Sequence, residues 1–337
     1  MAPSPPPPPS PRDSPLLYGL ALVANGPAKF GLTLLDPTSG AAVVVGGAHS
    51  TLFGEGDLVA LDGARGLLYY LGDSPRGATL VALNTSDGGE VCSAAVALRE
   101  VGFVGLGQTL SFDAATDTLV LSGLVAIVAN GSAPSHAVYR APARGGCGPF
   151  SLVGSFGAAA FVPTLHSSSL DADGQRLFVT LATSKTAAAI GVVDLSAPPG
   201  TGGMAVVAEG PAGANDTLLS LHWDPKAQRL IGVVAATTTL QLHSLDPSGG
   251  GAWGAPRALS GVPANWNALG GNAATASAFD APSRRLFLLA GHDDPASGDV
   301  AFDLATIDVD SASVVMHPPL APVGMPGCNS CLEALAV

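Results

Sequence analysis

The chain has 337 residues, of which 47% are hydrophobic and 12% are charged, and its formal net charge at pH 7 is −12. This hydrophobic content supports a large folded core and excludes global disorder. The 14 Lys and Arg residues are outnumbered by 26 Asp and Glu residues and form no basic run, which argues against binding to nucleic acids or to anionic membrane surfaces.

The N-terminal segment at residues 1–15, MAPSPPPPPSPRDSP, predicts a solvated tail because consecutive prolines adopt the polyproline II conformation. It has neither the apolar nor the basic segment of a signal peptide. The longest apolar stretch of the chain, residues 119–129, is shorter than the roughly 20 residues that cross a bilayer. We therefore expect a disordered tail at 1–15, a single folded domain at 16–337 and no membrane span.

Apolar runs follow the tail at residues 16–24, 30–36 and 41–47, and small or turn-forming residues separate them. Such runs, rich in Val, Leu and aromatic residues, are strand signals. The 43 glycines and 28 prolines suit many short strands, and no long window has the 3.6-residue period of a capped helix. The sequence therefore predicts an all-β protein.

A short phrase then recurs five times. In each copy an Asp opens a turn, and a Leu six residues later lies in a run of strand-forming residues. The copies begin at Asp62, Asp113, Asp171, Asp224 and Asp280, which are 51, 58, 53 and 56 positions apart. A constant phrase at variable spacing indicates structural repeats with loops of different length. We expect these Asp side chains to accept hydrogen bonds from the backbone of their turns and to have a structural role.

A second phrase, between these copies, is an apolar run that ends in an acid or amide followed by small turn residues. Its turns begin at Asp36, Asn84, Asp194, Asp246 and Asp308, whereas the repeat around residues 137–146 lacks the acid. Each unit therefore consists of strand, turn, strand, loop, strand, turn and strand.

Four-stranded antiparallel units of this length in series are typical of a β-propeller, in which each sheet packs on the next around a central channel. One repeat length before Asp62 falls in the proline run, and one repeat length after Asp280 falls at the C-terminus, where residues 332–337 form an apolar run. We therefore predict six blades, with the ring closed by a C-terminal strand that pairs into the N-terminal blade. Seven blades, or two separate β-domains, are the alternatives.

The phrase Asp-turn-Arg-Leu-Phe-Val, with Leu-Asp-Pro-x-x-Gly later in the unit, resembles the repeats of six-bladed propellers in the broad NHL, YWTD and SMP-30/TolB-like group. The resemblance covers about residues 16–337 and implies fold rather than function. The chain lacks the repeated Tyr-Trp-Thr-Asp and the Gly-His and Trp-Asp pairs of YWTD and WD40 propellers. The similarity to lactonases and esterases of the SMP-30 type implies a channel site of Glu, Asn and Asp around a divalent metal.

Sites in propellers lie at one mouth of the channel, where loops enter the innermost strands and connect the second strands to the third. The candidates in such positions are His166, His222, Asn267, Asn272, His292, Asp293, Asp294 and Glu333. The loop at residues 291–299 is the most polar, and its His and two Asp residues are ligands that Ca²⁺ or another divalent ion accepts. The alternative is a solvated loop of Asx turns. No other cofactor is predicted.

Four cysteines are present, and Cys328 and Cys331 form the only close pair. A structural zinc site needs a second pair of ligands, which the sequence lacks. We therefore expect disulfides between Cys92 and Cys147 and between Cys328 and Cys331 in an oxidising compartment, and free buried thiols otherwise.

Glycosylation sequons begin at Asn84, Asn130 and Asn215, all in predicted turns or loops. The sequons and the even number of cysteines favour a secreted protein, whereas the lack of a signal peptide favours the cytoplasm. Both compartments stay open, with the extracellular one preferred.

No Gly-x-Ser-x-Gly elbow, P-loop or His-Glu-x-x-His motif is present. The sequence therefore favours a monomeric binding or interaction propeller that presents one face to a protein or glycan ligand. The alternative is an enzyme, namely a metal-dependent hydrolase or lactonase with its site at the mouth of the channel.

Overall fold

The structure is a computed structural model that describes residues 16–24, 29–49, 58–74, 77–96, 102–103, 109–126, 135–156, 168–182, 188–210, 217–236, 239–263, 274–293, 300–317 and 332–337. The chain is all-β in these ranges, and no helix there is long and apolar enough to cross a membrane. The predicted tail at residues 1–15 lies outside them, so this domain boundary stays a prediction.

The described residues form 25 strands, which are numbered in chain order. The N-terminal strands are β1 (Leu17–Ala24), β2 (Lys29–Leu35) and β3 (Ala42–His49). Blade 1 consists of β4 (Val59–Asp62), β5 (Leu67–Ser74), β6 (Gly77–Asn84) and β7 (Glu90–Ala95). Blade 2 consists of β8 (Gly102–Phe103), β9 (Thr109–Asp113), β10 (Thr118–Ala126), β11 (Ser135–Pro142) and β12 (Ser151–Phe156).

Blade 3 consists of β13 (Ser168–Asp171), β14 (Arg176–Ala182), β15 (Ala188–Asp194) and β16 (Met204–Glu209). Blade 4 consists of β17 (Thr217–Asp224), β18 (Arg229–Ala236), β19 (Thr239–Leu245) and β20 (Arg257–Ala258). Blade 5 consists of β21 (Ala274–Asp280), β22 (Arg285–Asp293), β23 (Val300–Asp308) and β24 (Ser313–Met316). The last strand is β25 (Leu332–Ala336).

These strands form six antiparallel sheets, so the prediction of a six-bladed propeller is confirmed. The sheet order β25-β1-β2-β3 defines the closing blade, in which Gly19 pairs with Leu335 and Leu20 with Ala334. The C-terminal strand therefore completes the N-terminal blade, as predicted. In blade 2, β8 and β9 both pair with β10, so the innermost strand of that blade is in two pieces.

The repeated Asp residues end the innermost strands and begin four-residue turns; Asp62, for example, pairs with Leu67. The fourth turn residue has a positive φ, between 48° and 64°, in all five copies: Gly66, Asp117, Gln175, Gln228 and Arg284. The Asp carboxylate accepts a hydrogen bond from a backbone N–H inside the turn, as from Arg65 N to Asp62 Oδ1 at 3.1 Å. This contact is the structural role that the repeat predicts.

The core consists of six clusters of buried apolar side chains, and each cluster lies between two neighbouring blades. Tyr69 and Tyr70 are adjacent on β5 and both are fully buried, but Tyr69 packs toward blade 2 and Tyr70 toward the closing blade. Because successive residues of a strand point to opposite faces, each blade needs a neighbour on both sides. This explains why the second strands are continuous apolar runs.

On the outside of the ring, the turn between the third and fourth strands of one blade lies against the fourth strand of the preceding blade. Gly88 of blade 1 occupies this position against β3, with His49 Nε2 2.9 Å from the Gly88 carbonyl oxygen. A Cβ atom on Gly88 would lie 2.1 Å from the carbonyl oxygen of Val45. Likewise, a Cβ atom on Gly251 of blade 4 would lie 1.9 Å from the carbonyl oxygen of Val207 in blade 3. Only glycine permits this close approach of two backbones.

We call this contact between neighbouring blades the seam, and replacement of Gly88 by Ala tests it. Gly88 has a φ of +67°, which costs about 1 kcal/mol for a residue with a Cβ, and the clash with Val45 adds roughly 1–3 kcal/mol. The matched control is Gly250→Ala, because Gly250 has a φ of +83° in the equivalent turn of blade 4 with nothing within 4 Å of its Cβ position. We expect urea unfolding to show the larger loss of unfolding free energy for Gly88→Ala. Equal losses would contradict the seam.

Candidate functional site

The innermost strands of the six blades surround the channel. They are β4, β9, β13, β17, β21 and β25, and each contacts the innermost strand of the blade on either side. All six begin at one end of the ring, which we call the entry end, and five finish in the repeated Asp turns at the other end, which we call the turn end. A side chain of these strands that is partly exposed therefore reaches the channel.

Polar side chains of the innermost strands make hydrogen bonds between neighbouring blades. Between blades 2 and 3, the hydroxyl oxygens of Thr109 and Ser168 are 2.5 Å apart. Between blades 3 and 4, the backbone N–H of Trp223 donates to Ser169 Oγ at 2.5 Å. Between blades 4 and 5, His222 Nε2 lies 2.9 Å from Ser277 Oγ. These contacts form a polar arc on blades 2–5, whereas β4 of blade 1 has the sequence Val-Ala-Leu before its Asp. Of the arc side chains, Ser168 and His222 are partly exposed, and the others are buried: Thr109, Ser169 and Ser277.

Among the predicted channel-mouth residues, His222 is the one whose side chain falls within the described part of the chain. It is partly exposed, its ring centre lies 6.1 Å from that of Phe279, and its Nε2 contacts Ser277. Burial disfavours the charged form and lowers the pKa of His222 to about 4. The imidazole is therefore neutral at pH 7, and either the ring or the Ser277 hydroxyl donates the hydrogen bond, depending on the tautomer.

His292, Asp293 and Glu333 have described backbones. His292 and Asp293 are the last two residues of β22, and Glu333 is the second residue of β25. Since β22 runs antiparallel to β21, the end of β22 and the start of β25 lie at the entry end. The remaining candidates, His166, Asn267, Asn272 and Asp294, lie outside the described residues.

His222 and the entry-end residues are not brought together. His222 lies two residues before its repeated Asp, and the equivalent residue of blade 5, Ala278, pairs with Phe287 on β22. His292 is five residues further along β22, which corresponds to about 17 Å along the strand direction. One metal ion therefore cannot bind both histidines in this arrangement.

No group of three or more His, Cys, Asp or Glu side chains that could hold a metal ion occurs within the described ranges. Asp294 and the side chains of His292 and Asp293 are not among the described groups, so the predicted Ca²⁺ site in this loop stays a prediction.

The turn end carries ion pairs between blades that the sequence repeat does not indicate. Arg65 pairs with Asp62 of its own turn and with Asp117 of blade 2, and Arg284 of blade 5 pairs with Asp224 of blade 4. The repeated carboxylates are therefore engaged in holding turns and neighbouring blades, which is consistent with a structural role.

Asp113 shows how such a carboxylate stays ionised. Burial opposes the charged form, but hydrogen bonds from Thr116 and Gln175 outweigh it and lower the pKa of Asp113 below its usual value. Arg140 Nη2 lies 3.0 Å from the same carboxylate and also donates to Gln175 of blade 3. The network joins the turns of blades 2 and 3.

Four polar residues of the arc were not predicted as site residues from the sequence: Ser277, Ser168, Ser169 and Thr109. All four lie two to four positions before a repeated Asp. A comparison of these positions across the repeats would have found them, because the equivalent residues of blade 1 are apolar.

The predicted disulfide between Cys92 and Cys147 is present, with a Cα–Cα distance of 5.9 Å. It joins β7, the outermost strand of blade 1, to the loop between β11 and β12 of blade 2. Cys328 and Cys331 lie outside the described residues. Among the sequons, Asn84 ends β6 at a turn, whereas Asn130 and Asn215 lie outside the described part of the chain.

Neither a protein-family model nor a curated protein matches the sequence. Among solved structures, the chain is similar to the periplasmic gluconolactonase of Pseudomonas aeruginosa, with a TM-score of 0.52 and 14% identity over 95% of this chain and 98% of that chain. A candidate 6-phosphogluconolactonase from Bacteroides uniformis gives a TM-score of 0.53 and 12% identity over the same shares.

Puromycin hydrolase gives a TM-score of 0.51 and 14% identity over 92% of this chain and 55% of that chain, so this chain spans about half of that longer protein. At these identities the similarity establishes the shared propeller fold alone. The predicted resemblance to six-bladed propellers is confirmed at this level.

His222 makes stability depend on pH. Its pKa is about 6.5 in the unfolded chain and about 4 in the folded one, so the unfolded state binds more protons between these values. The contribution of neutral His222 to the free energy of unfolding is complete above pH 6.5. It falls as the pH drops toward 4, by about 2 kcal/mol for this partly exposed ring. We expect His222→Gln, which keeps a hydrogen-bonding side chain but does not titrate, to lose about 2 kcal/mol less than the wild type between pH 7.5 and 4.5. Urea unfolding at both values measures this, and parallel losses in the two proteins would rule it out.

Proposed function

We propose that this protein is an extracellular binding propeller without catalytic machinery, which takes up a protein or glycan ligand through its channel. The observation that carries the proposal is the polar arc on the innermost strands of blades 2–5. Within the arc, Ser168 and His222 are partly exposed, and each has capacity for a hydrogen bond to a ligand beyond its contact with the neighbouring blade.

The chemistry of the arc favours a glycan over a peptide. Sugar rings combine hydroxyl edges with apolar C–H faces. Ser168 and His222 offer hydrogen bonds to the hydroxyl edges, and the partly exposed ring of Phe279 beside His222 offers an apolar face. His222 supports this choice because a neutral imidazole beside Ser277 offers hydrogen bonds without attracting a charged ligand.

The disulfide between Cys92 and Cys147 supports the extracellular part of the proposal. Disulfides persist in oxidising compartments and are reduced in the cytosol. Both cysteines are partly exposed at the outside of the ring, where a reducing milieu has access to the bond.

The second candidate function is a metal-dependent hydrolase or lactonase. It is favoured by the positions of His292, Asp293 and Glu333, whose backbones lie at the entry end of neighbouring blades. His, Asp and Glu are residue types that bind a divalent ion, which would polarise a carbonyl group for attack by water. The periplasmic gluconolactonase, with which this chain shares its fold, makes a lactone a sensible first substrate to try.

A glycan array probed with the full chain tests the first proposal, and titration of the best glycan measures the affinity. We expect Ser168→Ala and His222→Gln each to weaken binding about tenfold, the value of one hydrogen bond to a ligand. Ser151→Ala, in the outermost strand of blade 2, is the control and should bind as the wild type does.

The same proteins are assayed for hydrolysis of δ-gluconolactone with and without Ca²⁺. The binding proposal expects no turnover above the uncatalysed rate. Turnover that requires Ca²⁺ and is lost in His292→Ala or Glu333→Gln would overturn it in favour of the hydrolase. Glycan binding that is unchanged in both channel variants would place the ligand elsewhere and contradict the role of the arc.

A further inference from the structure

Asn84 occupies a position that four of the other five blades fill with Asp. In blade 3, Asp194 Oδ1 accepts hydrogen bonds from the backbone N–H of Ser196 at 2.8 Å and from its hydroxyl at 2.6 Å. Asp246 and Ser248 repeat this pair of contacts in blade 4, at 2.9 and 2.7 Å. The turn between the third and fourth strands of blades 3 and 4 thus uses an Asp followed by Ser two positions later.

Blade 1 builds the same turn with an amide. Asn84 Oδ1 accepts from the backbone N–H of Ser86 at 2.8 Å and from the Ser86 hydroxyl at 2.7 Å. All the hydrogen bonds that the turn requires from this side chain therefore go to its oxygen. The second polar atom, Nδ2, stands where the carboxylates of Asp194 and Asp246 have Oδ2, and unlike Oδ2 it is a nitrogen donor.

The turn is also placed so that the Asn84 side chain is not needed at the seam. Gly88, four residues later, makes the contact with the closing blade through its backbone. Asn84 itself is partly exposed, and Ser86 and Asp87 of the same turn are exposed. Substituents on Nδ2 therefore have access to solvent without displacing the turn from its neighbour.

Asn84, Thr85 and Ser86 form an Asn-x-Ser sequon, and we propose that Asn84 carries an N-linked glycan. In the transfer, a lipid-linked oligosaccharide diphosphate is the donor. The bond between Nδ2 and the anomeric carbon forms, the bond from that carbon to the diphosphate oxygen breaks, Nδ2 loses one proton and the lipid diphosphate leaves. The product keeps the carbonyl oxygen as an acceptor, so the folded turn retains both of its hydrogen bonds.

The proposal rests on the extracellular compartment proposed above and is independent of the ligand of the channel. Its test uses the full chain, expressed with a secretion leader in a eukaryotic host, and both medium and cell lysate are analysed. Peptide-N-glycosidase converts a glycosylated Asn to Asp, and the mass of the peptide that contains residue 84 records this. Formation of the Cys92–Cys147 disulfide in the same sample shows that the chain has reached the oxidising lumen.

The variant Asn84→Asp is designed on the protein's own repeats. It keeps the acceptor that Asp194 and Asp246 supply in their turns, and it removes the amide nitrogen to which the glycan is attached. Because Asp87 lies in the same turn and adds charge repulsion, Ser86→Ala serves as a second variant that destroys the sequon but leaves Asn84 in place. We expect the wild type to carry one glycan more than either variant and to be converted at residue 84.

Glycans at Asn130 or Asn215 serve as internal references, since neither variant changes their sequons. An unmodified residue 84 in a chain that carries the disulfide would overturn the proposal while leaving the compartment and the binding function untouched. Absence of the disulfide and of every glycan would instead contradict the extracellular compartment, and with it this modification.

Discussion

The contact between neighbouring blades is the interaction on which the rest of the structure depends. Each four-stranded sheet has apolar side chains on both faces, as Tyr69 and Tyr70 of β5 show, and it can bury both only between two other sheets. Six sheets satisfy this condition if the ring is closed. The pairing of β25 with β1 closes it, because the closing blade takes its innermost strand from the C-terminus and the other three from the N-terminus.

The seams also determine where polar residues are used. At the turn end, ion pairs such as Arg284 with Asp224 cross from one blade to the next, and at the outer edge a disulfide joins Cys92 to Cys147. The carboxylates that recur most regularly are thereby engaged in structural contacts. On the innermost strands, polar side chains of neighbouring blades meet, as His222 and Ser277 do.

Most of the fold could be predicted from the sequence, because the Asp-turn phrase is local and its chemistry is the same in each copy. The seam contacts could not, since the partners are far apart in the chain: Arg65 and Asp117 are 52 residues apart, and His222 and Ser277 are 55 residues apart. Such pairs depend on the register of one blade against the next, which the spacing of repeats does not specify. For the same reason, the sequence grouped His222 with His292 as candidates for one site, whereas the structure places them far apart along the strand direction.

The measurement that tests ring closure most directly is the urea unfolding of a chain that lacks residues 332–337, compared with the wild type and with a chain that lacks residues 1–15. Without β25, the edge of β1 is unpaired and the apolar clusters beside the closing blade are opened. We predict a loss of at least about 3 kcal/mol of unfolding free energy, or loss of the cooperative transition, for the C-terminal deletion alone. Unfolding of that chain at the urea concentration of the wild type, with the same slope, would contradict ring closure by β25.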